Sequence, residues 1–106
     1  MRTLDVLAGV LLVNALPHTI LGLAGKRCMT PFGGADSSPA ANLAWAGINL
    51  IAGAAALAPG SWRSADQAEA EDRARSVAVG TFAMAAFGMA YELSPAASRH
   101  RQQRTG

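Results

Sequence analysis

Three stretches of the chain are long, apolar and almost free of charge, and they constrain its fold more than any other feature. They are residues 4–24, 40–58 and 76–93. Their charged residues, Asp5 and Glu92, stand at the edges. A helix rises about 1.5 Å per residue, so each stretch is long enough to cross a hydrocarbon core of about 30 Å. The pattern predicts three transmembrane helices.

A soluble bundle and a cleaved signal peptide both fit these stretches less well. A soluble bundle this small would need polar outer faces on its helices, whereas charged residues make up only 15% of the chain and hydrophobic residues 51%. A cleaved signal peptide is the alternative for the first stretch, but that stretch is too long and two more follow it. We therefore expect an all-α, membrane-spanning bundle in one transmembrane domain, residues 1–95.

The third helix is expected to start outside the membrane. The three helices are predicted at about residues 4–25, 40–58 and 64–94. Ser64 followed by Gln67 has the spacing of a capping box, which starts a helix in solvent. Glu69 and Arg73 are four residues apart with the acid first, the order that supports an ion pair on a solvated helix face. Residues 96–106 are expected to be a disordered basic tail.

The segment between the first two helices, residues 26–39, is rich in Gly, Pro and Ser, which favours turns over strands or helix. Two interpretations of its centre stay open. In one, the segment folds back and caps a polar pocket, with its phenylalanine as a plug. In the other, it forms a plain turn with an aromatic residue at the membrane interface. The residues concerned are Thr30, Pro31, Phe32 and Gly33. Cys28 is incidental, or at most a palmitoylation-like site.

Each predicted span carries one narrow seam of polar and small residues at helical spacing. The seams are Asn14, His18 and Gly22 in the first span, Asn42, Ala46, Asn49 and Gly53 in the second, and Gly80, Met84, Gly88 and Glu92 in the third. Helices in lipid associate by close packing at small residues and by hydrogen bonds between polar side chains. We therefore expect the three seams to face a common axis, with the large apolar side chains turned to lipid.

Counting residues along the helices places the polar groups towards one face of the membrane. The expected intramembrane cluster is Asn14, His18, Asn42, Asn49 and Glu92. Pro17 is expected to kink the first helix and to free the carbonyl of Val13. Such a carbonyl needs a partner in lipid, either Asn49 or a water molecule.

His18 is the strongest candidate for a functional residue in this cluster, because an ionisable group inside a membrane span is by default taken to mark a functional site. The plainer interpretation is a neutral histidine that makes one hydrogen bond across the bundle. Glu92 either pairs with His18 and handles protons or extends into the headgroups. The asparagines are interhelical hydrogen-bonding residues or, alternatively, substrate contacts. The sequence has no metal-ligand spacing for His18, and no cofactor or metal is expected.

Four short patterns carry a resemblance to a known group of proteins. They are Asn14-x-x-Pro17-His18, Thr30-Pro31-Phe32-Gly33, Ser37-Ser38-Pro39 and Asn42-x-x-Trp45-x-Gly47-x-Asn49. Over roughly residues 14 to 53 the chain resembles small uncharacterised bacterial multi-pass membrane proteins, and more faintly the DoxX-like membrane proteins, which have four spans rather than three. The resemblance implies a multi-pass protein of the bacterial inner membrane.

The function classes can then be narrowed. Basic residues flank the spans and are not interleaved with aromatic residues, so no nucleic-acid partner is expected. A nucleophile with its base, a metal cluster and a phosphate loop are all missing, so the chain is not expected to be an enzyme. We expect a structural or accessory subunit, or a homo-oligomer, in the lipid bilayer. The alternative is small-ligand or proton-linked transport through an oligomeric polar pathway, with an unknown ligand. The Lys and Arg residues that flank the spans are divided almost equally between the two faces of the membrane. We favour the orientation with the amino terminus outside and the carboxyl terminus inside.

Overall fold

The structure is a computed structural model and describes residues 1–59 and 66–95. It consists of helix α1 (Thr3–Leu23), strands β1 (Cys28–Thr30) and β2 (Gly34–Ser37), helix α2 (Pro39–Leu57) and helix α3 (Gln67–Glu92). The prediction of three helices is confirmed. The all-α class and the expectation of turns alone need a correction, because the two strands pair as an antiparallel hairpin between α1 and α2.

Local signals in the sequence explain where the first two helices end and begin. Gly25 follows α1 with a left-handed φ of 72°, and the backbone N–H of Lys26 donates to the carbonyl of Leu21. This is the Schellman pattern that commonly ends a helix at glycine. Helix α2 begins with Ser38, whose side chain accepts from the backbone N–H of Ala41, and with Pro39 in the first turn.

Helix α3 begins at Gln67 rather than near Ser64, which lies outside the described residues, as does the tail at 96–106. The N-cap is Asp66, whose carboxylate accepts from the backbone N–H of Glu69 at 2.8 Å. A capping side chain is therefore present, but it comes from a residue closer to the helix than the one predicted.

Among the described residues, α1 and α2 are long and apolar enough to cross a membrane. Helix α3 does not meet the same criterion. Several large apolar side chains on the outer faces of α1 and α2 are more than half exposed, namely Leu16, Ile20, Leu50 and Ile51. Such an outer surface suits lipid, which is as apolar as leucine.

Helix α1 lies in the middle of the fold. It packs against both α2 and α3, whereas α2 and α3 contact each other little. The expectation of three seams around a common axis was therefore wrong. Two glycines explain the difference: a Cβ at Gly80 would overlap the carbonyl oxygen of Val6, and a Cβ at Gly9 would overlap that of Val77. The backbones of α1 and α3 are thus in direct contact, on residues of α1 outside its predicted seam.

The predicted seams are buried to different extents. The α2 seam is confirmed, since Asn42, Ala46, Asn49 and Gly53 are all buried. In α3 only Gly80 of the predicted seam is buried; Met84 and Gly88 are half-buried and Glu92 is exposed. Beyond Gly80, every described residue of α3 is at least partly exposed. The second half of α3 therefore leaves the bundle.

Candidate functional site

The most connected side chain in the polar cluster is Asn42, which is fully buried. Its Nδ2 donates to the backbone carbonyls of Cys28 at 3.1 Å, Ser37 at 3.2 Å and Ser38 at 3.0 Å. Its Oδ1 lies 2.7 Å from Nδ1 of His18. Asn42 thereby ties both strands of the hairpin, the start of α2 and helix α1 together.

This arrangement fixes which nitrogen of His18 carries the hydrogen. Carbonyls only accept hydrogen bonds, so the Nδ2 of Asn42 must be the atom that faces them, and Oδ1 is left to face His18. An amide oxygen also only accepts, so Nδ1 of His18 is the donor. In the neutral ring the other nitrogen, Nε2, is then an acceptor.

A second pair joins α1 to α2 nearer the middle of the helices. Nδ2 of Asn14 donates to Oδ1 of Asn49 at 3.2 Å. Nδ2 of Asn49 donates to the carbonyl of Trp45 at 2.8 Å, not to the carbonyl of Val13 expected to need it. Helix α1 continues through Pro17, and the kink stays a prediction.

A cavity of about 340 Å³ lies beside these pairs, between α1, the hairpin and the second half of α3. Its polar lining includes Asn14, His18 and Glu92. Glu92 is exposed, and the ring of His18 hydrogen-bonds Asn42 rather than Glu92. The structure therefore brings four of the five predicted residues together as two hydrogen-bonded pairs, and it places Glu92 at the edge of the cavity that His18 and Asn14 line.

The predicted capping loop is the turn of the hairpin. The hydroxyls of Thr30 and Ser37, both buried, are 2.7 Å apart and hold the two strands together. Phe32 is 57% exposed and packs edge-on against Trp45, with 5.7 Å between ring centroids.

Phe32 does not line this cavity, so of the two interpretations of the loop the structure favours the plain turn over the plug. Pro31 and Gly33 are exposed. The hairpin residues that do line the cavity are Cys28 and Met29.

Among the described residues the largest fully buried side chain is Arg73, which the sequence pattern had placed on a solvated face with Glu69. Nε and Nη2 of Arg73 each lie 2.9 Å from a different oxygen of Asp5. Nη2 also donates to the carbonyl of Leu57, at the last residue of α2, at 2.8 Å. A cation suits this position, because the carboxyl end of a helix carries partial negative charge. The Asp5 carboxylate raises the pKa of Arg73 above its usual range, mainly by accepting its hydrogen bonds.

Further charges surround this pair on the same end of the fold. Arg2 lies 3.5 Å from Asp5 and 3.1 Å from Glu69, and the amino-terminal nitrogen lies 3.3 Å from Asp72. Glu69 therefore pairs with Arg2 rather than with Arg73. The signal for the buried pair was present in the sequence, because Asp5 is the one acid in the first apolar stretch and needs a nearby cation.

The chain matches no protein-family model, no curated protein and no solved structure with which it was compared. Its resemblance to bacterial multi-pass membrane proteins stays a prediction. Within residues 1–59 and 66–95, no three His, Cys, Asp or Glu side chains are grouped so as to hold a metal ion.

Proposed function

We propose that this protein is a multi-pass protein of the bacterial inner membrane that acts as a structural or accessory subunit, either as a homo-oligomer or in a larger membrane complex. In this proposal α3 crosses the bilayer as a third span, from about Ser76 to Glu92. The ion-pair cluster around Asp5 and Arg73 lies at the outer face, and the hairpin lies at the cytoplasmic face.

The observation that carries the proposal is the unpacked second half of α3. Phe82 is 77% exposed and Phe87 is 59% exposed. Three exposed alanines, Ala83, Ala86 and Ala90, follow one another at spacings of three and four, so they share one helix face. Small residues let helices approach closely in lipid, where apolar contact alone gives no driving force. This face is therefore suited to a helix from a second chain.

The polar residues support the same proposal. Asn14, Asn42, Asn49 and Nδ1 of His18 all make hydrogen bonds inside the fold. Groups used in this way hold α1, α2 and the hairpin together, which is what a packing module requires. Three short helices also enclose little volume of their own. Any larger transmembrane assembly would therefore need helices from partner chains.

The proposal is tested by measuring the mass of the protein in lipid nanodiscs and by purifying it with its partners from native membranes. Ala86→Phe places a bulky side chain on the proposed contact face. Ala54→Phe is the matched control, because Ala54 is also exposed but lies on α2. We expect Ala86→Phe to dissociate the oligomer or release the partner, and Ala54→Phe to leave the assembly intact.

Two results would contradict the proposal. One is a protein that is monomeric in nanodiscs and is purified from native membranes without a partner. The other is a His18→Ala variant that keeps its assembly but loses a pH-dependent flux in liposomes, which would favour the transport alternative.

A further inference from the structure

The cavity between α1 and α3 is lined by a buried histidine, one nitrogen of which makes no hydrogen bond to the described residues. His18 is 7% exposed, so its side chain is more than nine-tenths buried. Its Nδ1 edge faces Asn42, which does not line the cavity, whereas His18 does. With Nδ1 on Asn42, Nε2 is the polar atom of the ring that remains available to a molecule in the cavity. No side chain or backbone group in residues 1–59 and 66–95 hydrogen-bonds Nε2.

We propose that this cavity binds a small amphipathic molecule whose apolar body lies between α1 and α3 and whose hydroxyl or amine group donates a hydrogen bond to Nε2 of His18. The proposal goes beyond membrane assembly, because it assigns a ligand site within a single chain. A volume of about 340 Å³ falls at the small end of the range for pockets that bind small molecules, roughly 300–1,000 Å³.

The walls of the cavity define the body of the ligand. Leu21, Met29, Met84 and Phe87 contribute an apolar lining. Thioether side chains are flexible and make favourable contacts with aromatic rings as well as with alkyl chains. The cavity therefore accepts a short alkyl chain or a single ring, and it has few fixed polar groups that would select an extended polar molecule.

The polar groups define the head of the ligand. His18 is held as the Nδ1–H tautomer by Asn42, so Nε2 accepts hydrogen bonds in the neutral ring. The Nδ2 of Asn14 already donates to Asn49. Glu92 adds a carboxylate at the edge of the cavity, and carboxylates accept hydrogen bonds and repel anions. An alcohol or an amine can donate to both acceptors, and an alcohol can also accept from the hydroxyl of Tyr91 in the same lining. A carboxylate or an ester has no hydrogen to donate to either acceptor.

The test uses three probes of similar length, 1-octanol, octylamine and methyl octanoate, with the full chain in lipid nanodiscs. The readout is the ¹⁵N resonance of His18 Nε2, which responds directly to a hydrogen bond at that atom. We expect 1-octanol and octylamine to shift this resonance saturably and to bind about five- to tenfold more tightly than the ester, the ratio for one hydrogen bond.

A pair of glycine variants separates binding in the cavity from partition into lipid. Gly88 lines the cavity, and a Cβ there would meet no other atom within 4 Å, so Gly88→Leu places its side chain from an open position. Gly47→Leu is the matched control, because Gly47 is equally open and does not line the cavity. We expect Gly88→Leu to abolish the saturable shift and Gly47→Leu to retain it.

Two outcomes would overturn the proposal. In the first, the ester binds as tightly as the alcohol and the Nε2 resonance does not move, which would mean that the cavity holds only acyl chains. In the second, Gly88→Leu and Gly47→Leu behave alike, which would mean that the probes partition into the bilayer. The mass of the same particles reports separately on assembly, so failure of one proposal does not decide the other.

Discussion

Asp5 and Arg73 are separated by 68 positions in the chain, yet their side chains form a two-point ion pair in which each is only 1% exposed. Because Arg73 also donates to the carbonyl of Leu57, this one side chain links all three helices. The pair lies about one helical turn before the backbone contacts of α1 and α3, which are Gly9 with Val77 and Gly80 with Val6. The charge pair and the glycines therefore fix the position of α3 together.

Removing one member of the ion pair should be far more harmful than removing both. Asp5→Asn leaves the Arg73 charge buried without a carboxylate, and we expect it to lower the free energy of unfolding by about 3–5 kcal/mol. Asp5→Leu combined with Arg73→Met should stay near the wild-type value, because apolar residues replace a buried pair at little net cost.

Unfolding in mixed detergent micelles measures both effects. Glu71→Gln is the control, since Glu71 is exposed and a surface charge contributes at most about 1 kcal/mol. A double variant as unstable as Asp5→Asn would show that the pair itself, and not its burial, supplies the stability.

Two glycines of α3 should respond oppositely to the same substitution. Gly80→Ala forces a methyl group into the carbonyl of Val6, and we expect overpacking to cost about 1–3 kcal/mol. Gly88→Ala meets open space, so the better helix propensity of alanine should stabilise α3 by up to about 1 kcal/mol. Thermal unfolding of the two variants under identical conditions tests the direct backbone contact. Equal effects of the two substitutions would argue against it.

The two interhelical asparagines should differ in importance. Asn42→Ala would remove the side-chain donor from the carbonyls of Cys28, Ser37 and Ser38, of which Ser38 keeps the bond from the backbone N–H of residue 42. Each buried group left unsatisfied costs about 1–3 kcal/mol. Asn14→Ala removes one bond to Asn49, and such bonds in membrane proteins average about 0.6 kcal/mol.

Amide hydrogen exchange distinguishes them. We expect faster exchange throughout the hairpin in Asn42→Ala and no change there in Asn14→Ala. Full protection of the hairpin in Asn42→Ala would mean that the Thr30–Ser37 hydroxyl bond holds it without the amide.

The proposed topology can be tested with single cysteines in a Cys28→Ser background, which removes the one native cysteine. A membrane-impermeant maleimide added to intact cells should label Glu71→Cys, and it should label Lys26→Cys and Leu93→Cys only after the membrane is opened. All three positions are exposed. Labelling of Glu71→Cys and Leu93→Cys from the same side would contradict a third crossing by α3.

Much of the local structure could be predicted because it depends on residues close together in the chain. Continuous apolar stretches predicted three helices, and spacings of three and four predicted that Asn42, Ala46, Asn49 and Gly53 share the buried face of α2. The pairing of this face with α1 also followed, since buried amides must find partners in another helix.

Most of the misses depend on contacts that sequence periodicity does not show. The i to i+4 spacing indicated a pair between Glu69 and Arg73, but burial by three helices gives Arg73 to Asp5 instead. The hairpin depends on Asn42, which follows it in the chain and binds backbone atoms of both strands and of the junction with α2. Periodicity alone also gave no sign that α3 leaves the bundle after Gly80.

The central position of α1 has a consequence for biosynthesis. It is the first of the described helices to leave the ribosome, and both later helices dock on it and hardly on each other. Each later helix therefore docks on an α1 helix that has already been synthesised. Helices α1 and α2 can associate before α3 has been translated. The guanidinium of Arg73 arrives only with α3, so a product truncated before α3 would leave Asp5 without its two-point partner, exposed beside Arg2 for quality-control proteases to recognise.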